Sequence, residues 1–118
     1  MTAIAIVGDG PGGLSAALFL AKAGHDVQVF GTDESVMHYA MLYNYLGVDE
    51  ATGSDFQART RAQVAAQGAK LVEETVNAVR AANGGFEVET DSGTHTADFL
   101  VLSEGKEPSL APSLGVEM

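Results

Sequence analysis

Three glycines are the residues best placed to do chemistry. Gly8, Gly10 and Gly13 stand in the spacing G-x-G-x-x-G, and because they carry no side chain the chemistry falls to backbone N–H groups. The first glycine permits a tight turn, and the second lets the main chain approach a pyrophosphate. The third lets a following helix pack closely on a strand. A helix opening at this point has first-turn amides without intrahelical partners and a partial positive charge of roughly half a unit. A phosphate is held there at short range even by a chain of formal charge −10. Other reactive groups are few. The 118 residues include no Cys, which excludes a disulfide framework, a zinc knuckle or a redox dithiol within this sequence. His38 reads either as a proton donor near a cofactor or as a surface loop residue.

The elements that must position the glycines are legible around them. Ile4 and Ile6 alternate as in a buried strand, and Leu14, Ala17, Leu18 and Ala21 form the i, i+3, i+4, i+7 stripe of a helix lying on a sheet. Gly24 ends that helix, and Val27 and Val29 begin a second strand. The end of that strand usually carries an acid for the adenosine ribose, but the residue there is Gly31. Asp33 and Glu34 follow, and they read equally as ribose-binding or as solvated loop acids. With no Lys or Arg nearby, a ribose 2′-phosphate has no obvious partner and NADP is disfavoured.

The run Ile6-Val7-Gly8-Asp9-Gly10-Pro11-Gly12-Gly13-Leu14-Ser15-Ala16-Ala17 resembles the FAD-binding start of the thioredoxin-reductase-like flavoproteins, the pyridine nucleotide-disulfide oxidoreductases. Their usual form is G-x-G-P-A-G-x-x-A-A, so Gly12 stands for an alanine. Some members also have glycine at the position of Gly31, with an acid two places later matching Asp33. The resemblance implies an α/β fold, a Rossmann-like FAD/NAD(P)-binding domain whose parallel sheet has an antiparallel β-meander as a crossover. It covers the first lobe of the family's FAD domain only. Tyr43-Asn44-Tyr45-Leu46-Gly47 resembles the family's N-x-P-G stretch beside the flavin, without its proline. By the same analogy the backbone near Val76 meets the adenine edge. Ser103-Glu104-Gly105 stands where the family has A-T-G, with Gly105 keeping a close approach to the dinucleotide and Glu104 bringing a carboxylate near an anion.

Further along, Ser54-Asp55-Phe56-Gln57 reads as an S-x-x-Q capping box. The helix it opens runs to about Gly68 and presents Phe56, Thr60 and Val64 on one face. Arg59 and Arg61 point away from that face and serve solubility. Residues 69–73 read as a third strand. Residues 76–81, 86–90 and 94–96 read as a meander turned by Asn83-Gly84-Gly85 and Asp91-Ser92-Gly93. Phe99-Leu100-Val101-Leu102 lacks polar alternation and reads as a central parallel strand covered on both faces.

Composition bounds the class. Sixteen acids against six bases exclude a general nucleic-acid or anionic-membrane binder. The apolar share of 46% is enough for a core. The expectation is one domain over 1–118 with a loop or arm at 106–118, in a soluble cytoplasmic protein. The acidity also suits a salt-rich cell, where the Debye length falls to about 3 Å at 1 M. A complete enzyme of the resembled family would add a second dinucleotide domain, a C-terminal flavin-holding segment and often a C-x-x-C dithiol, and none is read here. Three functions stay open. One is a minimal FAD module of an oxidoreductase, a homodimer fed by free nicotinamide or an electron-donor partner protein. Another is a non-catalytic NAD or adenine-nucleotide module, and the last is a degenerate domain acting through assembly.

Overall fold

A computed structural model of the chain describes residues 2–32, 41–42, 51–82, 84–104, 110 and 114. Asp33, His38, Tyr43–Gly47 and Gly105 lie outside the described residues. A parallel sheet is built from β1 (Ala3–Val7), β2 (Asp26–Phe30), β5 (Lys70–Val72) and β9 (Phe99–Leu102) in the order β5-β2-β1-β9. Two helices, α1 (Pro11–Lys22) and α2 (Gly53–Ala66), connect its first three strands. Between β2 and α2, β3 (Met41–Leu42) pairs antiparallel with β4 (Ala51–Thr52). The crossover from β5 to β9 is an antiparallel meander of β6 (Val76–Ala82), β7 (Gly85–Thr90) and β8 (Gly93–Ala97).

Strand periodicity sorts the side chains into two cores. Ile4 and Ile6 of β1 and Val27 and Val29 of β2 face the helices, where they meet Leu14, Ala17 and Val64. Ala5, Val7 and Phe30 face the other way and meet Val79 and Val88 of the meander and Leu110. The central strands are therefore covered on both faces, which is why β1 reads AIAIV without polar alternation. Leu110 and Leu114 of the 106–118 segment pack with the second core, and the Glu104 carboxylate accepts from Leu110 N at 3.0 and 3.1 Å.

Pro11 opens α1, where its fixed φ suits a helix and its missing N–H is not needed. The helix stops in a Schellman turn. Gly24 has φ +93°, and His25 N donates to Leu20 O and Gly24 N to Ala21 O.

One expectation changes. Phe99–Leu102 is an edge of the described sheet, pairing with β1 alone, and Phe99 is 60% exposed. A continuous apolar run cannot by itself distinguish a central strand from an edge strand with one covered face. Asp98 fastens this edge to β1. Its N–H donates to Ala3 O at 2.8 Å, and its Oδ2 accepts from Ala3 N at 2.9 Å.

Candidate dinucleotide-binding site

The carboxyl ends of the strands converge on the glycine loop. Gly8 N donates to Phe30 O at 2.9 Å, Ser103 N to Val7 O at 2.8 Å and Gly31 N to Val72 O at 3.1 Å, so all four strand ends are laced together. Gly8 has φ +112°, and a Cβ there would fall 1.9 Å from Ser103 O. A Cβ on Gly13 would fall 1.9 Å from Gly8 O. Both positions exclude any side chain for reasons internal to the fold. Gly10 differs, because as the N-cap of α1 it has φ −76° and ψ −174°, open to any residue.

The first turn of α1 has no acidic residue, and Gly10 provides no side-chain cap. Because Pro11 brings no N–H, the Gly12 and Gly13 amides are the orphan donors of that turn. Gly12 is exposed, and a Cβ there would lie 2.9 Å from Ser103 Oγ.

Gly31 lies against Asp9, the second residue of the loop, and a Cβ on Gly31 would sit 2.4 Å from Asp9 Cγ. Two residues of α2 hold Asp9. Arg61 Nη1 donates to Asp9 Oδ2 at 2.6 Å, and Gln57 Nε2 donates to Asp9 O. Both sequence readings of α2 need correction here. Arg61 is not a solubility residue, since its side chain is only 16% exposed and ion-paired, whereas Arg59 is exposed. Gln57 is fully buried with Oε1 lacking a partner among the described residues, so it does not accept from the Ser54 amide as a capping box requires. The absence of a basic residue beside the second strand held only in sequence, because α2 brings Arg61 to that strand's end. Gln57 and Arg61 stand one turn apart on the side of α2 that also carries buried Val64, a spacing visible in sequence, but their target was not.

Val76 lies at the start of β6 and packs with the Phe30 cluster. Beside it, Glu74 Oε1 accepts from Thr90 Oγ1 at 2.6 Å and lies 3.4 Å from His95 Nε2. The Thr90 hydroxyl first, then Ser92 and His95, hold the Glu74 carboxyl below the ordinary glutamate range. His95 also meets Phe30 edge-on, with ring centroids 5.0 Å apart. At the amino ends of the strands an open cavity of about 220 Å³ is lined by residues including Ala3, Phe86 and Asp98. Dinucleotide crevices form at the opposite ends, so this cavity is a separate feature. Among the described residues there is no cluster of potential metal ligands, and no helix is long and apolar enough to cross a membrane.

A parallel sheet with helices on one face, a meander on the other and a glycine turn at the strand ends defines a Rossmann-like fold of the FAD-binding type. The chain belongs to the pyridine nucleotide-disulphide oxidoreductase family, which it matches over residues 2–118. It is similar in structure to an atypical thioredoxin reductase from Desulfovibrio vulgaris Hildenborough, at 32% identity and a TM-score of 0.83, covering 92% of this chain and 38% of that one. The thioredoxin reductase from Gloeobacter violaceus is also similar (25% identity, TM-score 0.81), with 95% of this chain and 39% of that one covered. A third, the oxidoreductase from Agrobacterium tumefaciens, has 30% identity and a TM-score of 0.77, with 86% and 35% covered. The chain thus spans little more than a third of the length of these relatives. No curated protein matches it.

Proposed function

We propose that the chain holds the ADP half of FAD and serves as the flavin-binding part of an oxidoreductase of the thioredoxin reductase type. One observation carries this reading. The first turn of α1, without side-chain cap or acid, opens at the carboxyl end of β1 on a loop whose Gly8 and Gly13 admit no side chain. Such a cradle fits a pyrophosphate. Gly8, Gly10, Pro11, Gly12 and Gly13 would hold it, with the Gly12 and Gly13 amides donating to its oxygens. The family pattern adds Gly31, Gly105 and the backbone at Val76 around the adenosine.

When bound, FAD supplies an acceptor for hydride or single electrons. The residues of this chain orient it. Amides offset the charge of the diphosphate, the strand ends fix the height of the loop, and the Phe30 cluster keeps water from beneath the adenosine side. These 118 residues contain no Cys and a single G-x-G-x-x-G, so in this reading the groups that exchange electrons with the flavin lie outside them. Phe99, exposed on β9, offers an apolar edge for a second copy.

Titration of the purified chain with FAD and with ADP, read by flavin fluorescence and by melting temperature, tests the reading. A ligand that binds only the native state must raise its stability. Stabilisation by both ligands, tighter for FAD, is expected. Stabilisation equal for ADP and FAD reduces the site to an adenine-nucleotide module, and no response to either overturns it.

A further inference from the structure

Gly31 leaves the end of β2 without the acid that customarily contacts the adenosine ribose, yet a carboxylate is there. An ideal Cβ on Gly31 would fall 2.6 and 2.8 Å from the two carboxylate oxygens of Asp9. No side chain at position 31 could coexist with Asp9 as placed. The acid is delivered from the glycine loop, and the glycine in the strand makes room for it.

The placement is held from α2. Asp9 is 7% exposed and receives Arg61 Nη1 at 2.6 Å on Oδ2, while Gln57 Nε2 fixes its carbonyl. Gln57 and Arg61 are one turn apart, so a single helix face grips both the main chain and the side chain of Asp9. An arginine at this point would on its own favour a ribose 2′-phosphate. Here Asp9 sits against it, and Glu73 Oε1 lies 3.7 Å from Nη2, so its charge is already matched.

We propose that Asp9 is the ribose-reading carboxylate of this chain, and that its pairing with Arg61 selects an unphosphorylated adenosine ribose over a 2′-phosphorylated one. The proposal rests on the dinucleotide reading above and adds which residue contacts the ribose. A 2′-phosphate would meet the Asp9 carboxylate, a like charge, before it met a guanidinium whose charge Asp9 already offsets. Removing either partner should shift selectivity in opposite directions, which a merely structural ion pair would not do.

The experiment measures dissociation constants for ADP and for ADP bearing a 2′-phosphate, by calorimetry, on the full chain and on Asp9→Asn, Arg61→Gln and Asp33→Ala. Circular dichroism melting checks folding of each. The full chain should prefer ADP by about tenfold or more. Asp9→Asn should weaken ADP and move the ratio toward the 2′-phosphate by about tenfold, and Arg61→Gln should move it further toward ADP. A ratio that neither substitution moves overturns the proposal while ADP binding keeps the dinucleotide site. A ratio moved by Asp33→Ala and not by Asp9→Asn gives the ribose to Asp33 and likewise overturns it. If the full chain binds neither ligand, the dinucleotide reading falls and this proposal with it.

Discussion

Gly13→Ala sets local propensity against packing in one atom. Gly13 lies inside α1, where alanine normally stabilises a helix by up to about 1 kcal/mol relative to glycine. The structure predicts the reverse. The new Cβ would lie 1.9 Å from Gly8 O, and real Cβ contacts stay above 3.0 Å, so the helix must retreat by 1.1 Å. Gly8 cannot yield instead, because its N–H is bonded to Phe30 O and its φ is +112°. Retreat of α1 pulls Leu14 and Ala17, 2% and 0% exposed, away from Ile4, Ile6 and Val29. Overpacking of a tight core costs about 1–3 kcal/mol and occasionally more, so a net loss of about 1 kcal/mol, and at most about 2, remains after the propensity gain. For a chain of this length that is a fall in melting temperature of about 4 °C, and at most about 8 °C. Thermal and urea unfolding followed by circular dichroism reads it directly. Gly68→Ala is the control. Gly68 has φ +98° but nothing within 4 Å of a Cβ, so only backbone strain of about 1 kcal/mol applies. A Gly13→Ala protein that melts at or above the parent temperature refutes the packing argument for the third glycine.

Gly10→Val tests the middle glycine separately. Its φ of −76° tolerates a side chain, so melting in the absence of ligand should change little, while ADP affinity drops below detection in calorimetry. Gly12→Ala should be near neutral because Ser103 Oγ, 2.9 Å from the new Cβ, can rotate. With Ser103→Ala added, the pair should gain about 0.5–1 kcal/mol from helix propensity, measured by urea unfolding. Glu74→Gln addresses pH. The Glu74 pKa is lowered in the folded chain, so its contribution is fully present above the ordinary glutamate range and is lost as pH falls through the lowered value. The variant should melt below the parent at neutral pH, and the difference should shrink as pH falls below the ordinary glutamate range; a difference that grows in acid contradicts the sign.

The strand–turn–helix–strand opening was legible because each position answers a local demand. A glycine at 8 serves the positive φ, one at 24 serves the helix stop, and alternating Ile and Val serve the two-faced sheet. The meander was legible for the same reason, through Asn83-Gly84-Gly85 and Asp91-Ser92-Gly93. What escaped were contacts between segments far apart in sequence. Arg61 looked like a solvated base because its partner Asp9 lies 52 residues away, and Gln57 fitted a local capping pattern that a distant carbonyl outcompeted. Two close approaches at the site are likewise made only in space. Gly12 faces Ser103 Oγ, and Gly31 faces the Asp9 carboxylate. In each pair, one position is glycine where the other presents a side chain.

The most direct measurement is an amide-resolved NMR titration of the chain with ADP. The account predicts saturable shifts in the amides of Gly8, Asp9, Gly10, Gly12, Gly13 and Leu14 and at Gly31, with the amino ends of the strands, around Ala3 and Asp98, unmoved. Shifts confined to that opposite end, or none at saturating ADP, would contradict it.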